Sequence, residues 1–278
     1  MRAEEVRAIL ESIGKRANKR LGQHFLLDES VISRQVALAE LTKGDTVLEI
    51  GPGIGNLTEE ILRTGASVVA VEQDPAFCRF LEKRFGPRIR LIQADAVKAF
   101  LPEFDKVVSN LPYQISSPII FKLLGTDFKL AVLMLQREFA ERMVATPGSR
   151  DYCRLTVGVY YRASCEIAFD VSKASFWPQP RVDSCVVVLR PRPPPFKVRD
   201  EEVFGRVTQV LFSHRRKKIS TSLRTDPVVG AALAPEMEGW LATLPYASKR
   251  PEELTPEQLG EVADAFLELA SRSRNTSR

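Results

Sequence analysis

The middle of the chain alternates predicted strands with predicted helices, and this alternation restricts the fold more than any other feature of the sequence. The strands cover 46–50, 67–72, 90–93, 106–110 and 131–135, and the helices cover 57–64, 75–85, 118–124 and 139–144. Parallel neighbouring strands require a long crossover, which a helix supplies. We therefore expect a parallel sheet covered by helices on both faces, with its ligand outside the carboxyl ends of the strands.

Beyond residue 144 the pattern changes twice. Two further strands, 166–171 and 184–190, have only a short non-helical link between them, and they are predicted to complete the sheet as an antiparallel pair. Residues 191–195 read Pro-Arg-Pro-Pro-Pro, a stiff segment typical of a domain boundary. After it only helices are predicted, at 200–211, 215–223, 234–244 and 256–271. We expect a seven-stranded α/β domain over 1–190 and a small helical domain over 191–278.

The charge distribution indicates a partner. The 278 residues carry 40 Lys and Arg against 35 Asp and Glu, a formal net charge of +5. Basic residues cluster at 15–20 and 215–218, and two clusters flanking one domain favour a nucleic acid partner. No apolar run could span a membrane, and the charged N-terminus lacks a signal-peptide pattern, so a cytoplasmic protein is expected. Four scattered Cys and two His predict neither a metal site nor a disulfide framework.

A glycine-rich turn, Glu49-Ile50-Gly51-Pro52-Gly53-Ile54-Gly55, directly follows the first strand of this alternation and opens a helix. Glycines here let a ligand approach the backbone closely. The dinucleotide fingerprint would require glycine where Asn56 stands, and Pro52 removes an amide that could bind a pyrophosphate, so a nucleoside without phosphates fits better. Glu72 ends the next strand, where it could accept both ribose hydroxyls. Asp95 follows the third strand, where it could accept from an amino group of the base.

A second turn, Asn110-Leu111-Pro112-Tyr113, ends the fourth strand of the alternation. Proline fixes its own φ and extends the residue before it, so the chain turns a stiff corner. The corner presents an amide, a backbone carbonyl without a turn partner and the face of a phenol. These groups could hold a planar group that carries an NH2. The alternative is an ordinary loop, in which Asn110 caps a turn and Tyr113 packs against the core.

Taken in order, these features resemble the S-adenosylmethionine site of class I methyltransferases, and Asn110–Tyr113 resembles the N/D/S-x-P-Y/F motif of the amino-methyltransferases. Leu111, in place of a second proline, resembles the ribosomal RNA adenine branch. Three further stretches match signatures of that branch: Gly22–Leu26 (GQHFL), Phe176–Ser184 (FWPQPRVDS) and Leu211–Lys218 (LFSHRRKK). The chain is identified as resembling the KsgA-type small-subunit ribosomal RNA adenine N6-dimethyltransferase family over nearly its whole length.

The resemblance implies a class I, Rossmann-like α/β fold and assigns roles to individual residues. It implies S-adenosylmethionine as cofactor, held by His24, Leu26, Gly51, Gly53, Glu72, Asp95 and Asn110. It implies a catalytic group of Asn110, Leu111, Pro112, Tyr113 and Phe176, and RNA contacts by Arg215, Arg216, Lys217 and Lys218 in the helical domain. Position 24 departs from the pattern, because bacterial members usually have Asn there.

The implied chemistry needs neither a metal nor a general base. We expect the Asn110 side-chain oxygen and the Pro112 carbonyl each to accept one proton of the target amino group, which directs the nitrogen lone pair towards the methyl donor. Tyr113 and Phe176 are expected to sandwich the adenine, with Phe176 on an exposed, proline-rich loop.

The resemblance implies dimethylation of two adjacent adenosines near the 3′ end of small-subunit rRNA, by a monomer acting on an immature subunit late in assembly. Two alternatives stay open at this point. The first is a large-subunit rRNA methyltransferase of the antibiotic-resistance type, which shares most of these motifs. The second is an RNA-binding assembly factor whose catalysis is dispensable.

Overall fold

The structure is a computed structural model that describes residues 1–17, 23–226 and 238–276. The chain divides into two units, of which the first comprises 1–141 and 163–192 and the second comprises 142–162 and 193–278. The chain leaves the first unit for the last time after residue 192, close to the expected boundary at residue 190. Residues 142–162 were expected in the first domain, but the structure places them in the second unit.

The described part of the first unit contains the strands Phe25–Leu26 (β1), Thr46–Ile50 (β2), Ser67–Glu72 (β3), Ile89–Gln93 (β4), Lys106–Asn110 (β5), Leu130–Gln136 (β6), Ala163–Val171 (β7), Phe176–Trp177 (β8) and Ser184–Pro191 (β9). Seven of them form a sheet of order β4–β3–β2–β5–β6–β9–β7. The first five in this order pair in parallel, whereas β9 runs antiparallel to both β6 and β7. The predicted seven-stranded sheet with a final antiparallel pair is confirmed.

Helices connect these strands, and their starts follow from local sequence. They are Ala3–Ser12 (α1), Glu29–Leu38 (α2), Asn56–Arg63 (α3), Pro75–Phe85 (α4), Ser116–Leu123 (α5) and Arg137–Met143 (α6). The Asp28 carboxylate accepts from the first backbone N–H groups of α2, and Asp74 does the same for α4, which opens with Pro75. Side-chain caps and an N-terminal proline satisfy or remove amides that the helix itself leaves unpaired.

One helix and two short strands were not predicted. Helix Arg154–Arg162 (α7) contains glycine, β-branched residues and two tyrosines, all weak helix formers, so its local sequence does not favour a helix. Strands β1 and β8 pair antiparallel, with Phe25 opposite Trp177 and Leu26 opposite Phe176. Each strand has only two residues, which is too short for a periodic pattern.

The second unit is helical in its described residues. Besides α7 it contains Glu201–Ser213 (α8), Ile219–Thr225 (α9), Glu238–Leu241 (α10) and Pro256–Thr276 (α11). Its core packs aliphatic and aromatic side chains from these helices, including Tyr161, Phe204, Leu211, Ile219 and Val262. No helix in the described part of the chain is long and apolar enough to cross a membrane.

The predicted helix over 215–223 is wrong in its first four residues. Helix α8 ends at Ser213, and the Lys217 amide donates to the His214 carbonyl in a turn before α9 begins at Ile219. The four basic residues Arg215, Arg216, Lys217 and Lys218 therefore lie in a connecting turn rather than on a helix face. Of the predicted helix over 234–244, residues 234–237 lie outside the described residues.

Strands β2 and β5 separate before they end. Their pairing covers only Val47–Lys106 and Leu48–Val107. Beyond it, the buried Ser109 hydroxyl donates to the Ile50 carbonyl at 2.7 Å and accepts from the Ile50 amide at 3.3 Å. One side chain thus replaces the ladder at the carboxyl ends of the two strands, each of which continues into a turn.

A carboxyl group is buried beside this point. Glu49 of β2 is 2% exposed, and its Oε2 accepts from the Thr58 hydroxyl of α3 at 2.6 Å. Burial, reinforced by the nearby carboxylate of Glu72, raises the pKa of Glu49 to about 8. Since the ionised form is disfavoured in a dry environment, the folded protein holds this group protonated at neutral pH.

We predict that Glu49 makes the free energy of unfolding depend on pH. Below its ordinary pKa of 4.5 both folded and unfolded chains hold the proton, and the stabilising contribution of the protonated carboxyl is fully present. Above it only the unfolded chain releases the proton, so stability is lost until pH rises through about 8. Glu49→Gln should therefore gain stability relative to the wild type between pH 5 and pH 9, by on the order of a few kcal/mol.

Denaturant unfolding at several pH values measures this difference. The matched control is Glu4→Gln, which changes an exposed glutamate of α1 and should follow the wild type at every pH. Parallel curves for Glu49→Gln and the wild type would contradict the prediction.

Candidate active site

A cavity of about 560 Å³ lies at the carboxyl ends of β2, β3, β4 and β5. The residues predicted for cofactor and catalysis all line it: His24, Leu26, Gly51, Gly53, Glu72, Asp95, Asn110, Leu111, Pro112, Tyr113 and Phe176. They come from six separate segments of the chain. The parallel strand order brings four of these segments to one edge of the sheet, and the β1–β8 pair supplies the other two. Sequence reasoning therefore found one site rather than scattered residues.

The glycine turn forms one wall of the cavity. Gly51 has φ 70° and Gly53 has φ 57°, in the left-handed region that favours glycine. The Gly51 amide donates to the Val71 carbonyl, which fixes the turn against β3. A Cβ at Gly51 would lie 3.4 Å from the Pro112 ring, and a Cβ at Gly53 would lie 3.4 Å from the Phe25 ring. A side chain at either position would therefore contact another residue that lines the cavity, on a strained backbone.

Glu72, at the end of β3, is held by backbone amides. Its Oε2 accepts from Gly53 at 3.3 Å, and its Oε1 accepts from Asp74 at 2.9 Å. Burial raises the pKa of the Glu72 carboxyl. Each carboxylate oxygen has two lone pairs, so both can accept a further hydrogen bond from a ligand in the cavity.

Asp95 begins the turn after β4. Its Oδ1 accepts from the Val97 amide at 2.9 Å, and its backbone carbonyl accepts from the amides of Lys98 and Ala99. The Lys98 ammonium lies 3.8 Å from Oδ2. The carboxylate thus stands at the start of a hydrogen-bonded turn that also lines the cavity through Ala96.

Two residues that line the cavity, Asn110 and Asn56, each carry a buried side-chain oxygen without a partner, and Asn110 is the one at the predicted corner. Its Oδ1 is buried and has no hydrogen-bond partner. An unpaired buried acceptor costs roughly 1–3 kcal/mol, and such a cost is tolerated mainly where a ligand supplies the donor. Leu111 is buried directly behind it, and the Leu111 amide donates to the Met134 carbonyl of β6 at 3.2 Å, so the corner is anchored to the sheet.

The prediction of a Pro112 carbonyl without a turn partner is wrong. This oxygen accepts from the Ile115 amide at 3.0 Å and lies 3.4 Å from the Ser116 hydroxyl, because the chain enters a short helical turn directly after the proline. A carbonyl oxygen has two lone pairs, and the bonds from the Ile115 amide and, more weakly, the Ser116 hydroxyl engage both of them. Asn110 Oδ1 is therefore the freer acceptor at this corner.

Tyr113 is fixed by two neighbours that sequence reasoning did not assign to it. Its hydroxyl shares a 2.8 Å hydrogen bond with Ser184 of β9, and burial raises its pKa. Its ring stacks on the His24 ring, with centroids 5.9 Å apart and an interplanar angle of 28°. His24 Nδ1 lies 2.6 Å from the Pro178 carbonyl, which can only accept, so this nitrogen carries the proton.

Phe176 does not stand on an exposed loop, which corrects the expectation. It is 6% exposed, because β8 pairs with β1 and places the ring among core residues of the first unit. The same ring lines the cavity. Phe176 is thus both a core residue and a wall of the site.

The basic residues 215–218 belong to the second unit. Arg215 is tied into that unit, since its guanidinium donates to Glu252 at 2.8 Å and to the Arg150 carbonyl at 2.7 Å. The side chains of Arg216, Lys217 and Lys218 are exposed. The four-residue prediction therefore separates into one structural arginine and three accessible cations.

Two further cations lie beside this turn. The Ile219 amide donates to the Lys249 carbonyl at 2.9 Å, and the Ser220 amide donates to the Ala247 carbonyl at 3.2 Å. These bonds bring the exposed residues Lys249 and Arg250 alongside Lys218. Sequence reasoning missed them because some thirty positions separate the two segments and no local pattern links them. We call Arg216, Lys217, Lys218, Lys249 and Arg250 the basic surface.

The buried polar residue Ser109 was also missed. Its signal was present, since a serine interrupts an apolar strand directly before the Asn110 corner. In the described part of the chain, no group of three or more His, Cys, Asp or Glu side chains could hold a metal ion.

The chain is similar in sequence to a known protein family. A family model described as ribosomal RNA adenine dimethylase matches residues 14–254. The probable ribosomal RNA small subunit methyltransferase A of Methanosarcina mazei is 49% identical over 273 residues, which cover 95% of this chain and 100% of the relative. The protein of the same name from Thermococcus gammatolerans is 42% identical over 256 residues, covering 92% of this chain and 91% of the relative.

Two crystal structures share the fold. A dimethyladenosine transferase from Plasmodium falciparum matches with a TM-score of 0.75 and 29% identity, over 90% of this chain and 98% of that one. The 23S rRNA methyltransferase ErmE matches with a TM-score of 0.62 and 29% identity, over 87% of this chain and 99% of that one. The predicted class I methyltransferase fold is confirmed, and the chain belongs to the ribosomal RNA adenine dimethylase family.

Proposed function

We propose that this chain transfers methyl groups from S-adenosylmethionine to N6 of two adjacent adenosines near the 3′ end of small-subunit rRNA, giving dimethyladenosines. The observation that carries this proposal is the buried, unpaired Oδ1 of Asn110 at the edge of the cavity. An amino group needs such an acceptor, and no group of the described chain supplies a donor to it. The curated relatives named as small subunit methyltransferases support the choice of RNA.

The cavity residues fit a nucleoside cofactor that lacks phosphates. S-adenosylmethionine supplies a methyl group on a sulfonium. Gly51 and Gly53, whose positive φ favours glycine, would let it approach the backbone closely. The two Glu72 oxygens, oriented by backbone amides, would accept the ribose hydroxyls. Asp95 would accept from the amino group of the base. Leu26 of β1 and His24, directly before β1, would border the cofactor.

The residues of the corner would activate the target amino group by accepting its protons. The amino nitrogen of adenine is a poor nucleophile, because its lone pair is delocalised into the ring. Asn110 Oδ1 would accept one proton, and the Pro112 carbonyl would accept the other in place of its long bond from the Ser116 hydroxyl. Both bonds strengthen as positive charge develops on the nitrogen, which stabilises the transition state. Leu111 would keep the corner in place through its burial.

Two aromatic rings would hold the adenine itself. His24 stacks against the Tyr113 ring, which leaves the other face of that ring for the base. Phe176 would cover the base from the opposite wall of the cavity. A stacked base contributes about 1–3 kcal/mol, and extruding a base from RNA costs a few kcal/mol, so stacking offsets much of the extrusion.

The basic surface would contact RNA phosphates without reading sequence. Its three residues 216–218 were expected there, and Lys249 and Arg250 extend it; Arg215 would act through the fold of the second unit. We propose that the partner is small-subunit rRNA in an immature ribosomal subunit, met late in assembly in the cytoplasm by a monomer. The shape of that RNA would supply most of the specificity.

The activity test uses purified protein, labelled S-adenosylmethionine and immature small subunits. Dimethyladenosine should form, and Asn110→Ala should lower kcat by about a hundredfold or more, the effect of losing one group that stabilises a transition state. Ser117→Ala, an exposed substitution in the helix after the same corner, is the matched control and should retain full activity.

Failure of the folded wild type to methylate small subunits would overturn the proposal. Methylation of naked large-subunit rRNA but not of small subunits would favour an activity like that named for ErmE. If Asn110→Ala abolished methylation yet restored ribosome assembly in cells, RNA binding would be the primary role.

We predict that Arg216→Ala combined with Lys217→Ala weakens subunit binding and lowers its dependence on salt. Each lost phosphate contact should reduce the slope of log K against log salt concentration by about 1. Binding titrations at several salt concentrations measure that slope. Arg79→Ala with Lys83→Ala removes the same charge from exposed positions of α4 and should leave the slope unchanged. An unchanged slope in the first variant would show that these two cations face solvent.

A further inference from the structure

One lysine outside the predicted site holds a loop of the site in place. Lys122 lies in α5, and its ammonium donates to the backbone carbonyls of Ala96 at 2.8 Å, Val97 at 3.1 Å and Ala99. A lysine ammonium has three N–H donors and no acceptor. All three donors are therefore used on one turn of backbone.

This turn is the one that Asp95 begins. Its other hydrogen bonds are local, from the Val97 amide to the Asp95 carboxylate and from the amides of Lys98 and Ala99 to the Asp95 carbonyl. Such bonds fix the shape of the turn but not its position in the molecule. Two long-range contacts supply that position. The Ala94 amide, directly before the turn, donates to the Glu72 carbonyl of β3, and the Lys122 ammonium reaches the turn itself from α5, 23 to 26 positions along the chain.

The element that carries Lys122 also continues from the Asn110 corner. A short helical turn, Tyr113–Ile115, leads directly into α5. Helix α5 is anchored by Ile119, Ile120 and Leu123, each fully buried. The lysine is therefore a rigid connection between the corner proposed to hold the target amino group and the turn proposed to hold the base of the cofactor.

We propose that Lys122 is a positioning residue that sets the Asp95 carboxylate against the amino group of the cofactor's base and so makes the site selective for an aminopurine. This inference rests on the proposed function. An ionised carboxylate accepts from an amino group and repels the 6-oxo group of a hypoxanthine. Its selectivity depends on the carboxylate staying in place, which is what the three bonds of Lys122 secure.

The experiment compares two ligands, S-adenosylhomocysteine and S-inosylhomocysteine, by calorimetric titration of the full chain. The wild type should prefer the adenosyl ligand strongly. In Lys122→Met the preference should fall about tenfold, the factor that corresponds to one hydrogen bond, and mainly through weaker binding of the adenosyl ligand. Lys122→Gln keeps two N–H donors, so its preference for the adenosyl ligand should lie between those of the wild type and Lys122→Met. It replaces Lys122→Met in the experiment if the methionine variant does not fold.

The matched control is Lys98→Met. It removes the same charge from the same turn, closer to the Asp95 carboxylate, but leaves the three carbonyl bonds intact. Its side chain is 84% exposed, so its ion pair with Asp95 is screened and the preference should stay near that of the wild type. In an Asp95→Ala background, Lys122→Met should cause no further loss of preference, because both substitutions remove the same discrimination.

The outcomes separate this inference from the proposed function. An unchanged preference in Lys122→Met, equal weakening of both ligands, or losses that add in the double variant would each overturn the positioning role while leaving the cofactor site in place. A wild type that binds S-adenosylhomocysteine no better than the inosyl ligand would remove the role given to Asp95 and this inference with it. A wild type that binds neither would remove the proposed function.

Discussion

The paired hydrogen bonds between the Ser109 hydroxyl and the Ile50 backbone are the interaction on which the site depends. They join β2 and β5 where the regular ladder has ended. Gly51 directly follows Ile50, and Asn110 directly follows Ser109. The two bonds therefore set the distance between the glycine turn and the Asn110 corner. Gln35 adds to this arrangement from α2, with its amide 3.4 Å from the carbonyls of Ser109 and Val132. Buried polar groups thus tie the strands together where the β2–β5 pairing has ended.

The same edge of the sheet holds polar groups that cost stability. Glu49 is kept protonated by burial, Glu72 is largely buried, and Asn110 Oδ1 has no partner. An apolar sheet on both sides tolerates this cost, since the strands β2, β3, β5 and β6 are buried almost throughout. Local conflicts of this kind concentrate where a protein binds and reacts. In our account the cofactor satisfies Glu72 and the target base satisfies Asn110 when they bind.

The sequence predicted the sheet because the apolar runs of buried strands differ clearly from the apolar spacing of the helices between them. Strands β2, β3 and β5 begin and end where expected. It predicted which residues meet at the cavity because parallel strands end at one edge. It could not predict that Phe176 is buried, since that depends on the two-residue pairing with Leu26. It also could not separate Arg215 from the cations after it, because Glu252 lies 37 positions away and its contact arises only in the folded unit.

The central claim is that this cavity methylates two neighbouring adenosines of small-subunit rRNA. Mass-spectrometric mapping of that RNA, isolated from cells with and without the protein, tests it most directly. The account predicts two adjacent N6,N6-dimethyladenosines near the 3′ end when the protein is present and unmodified adenosines at the same positions when it is absent. An identical modification state in both RNA samples would contradict it.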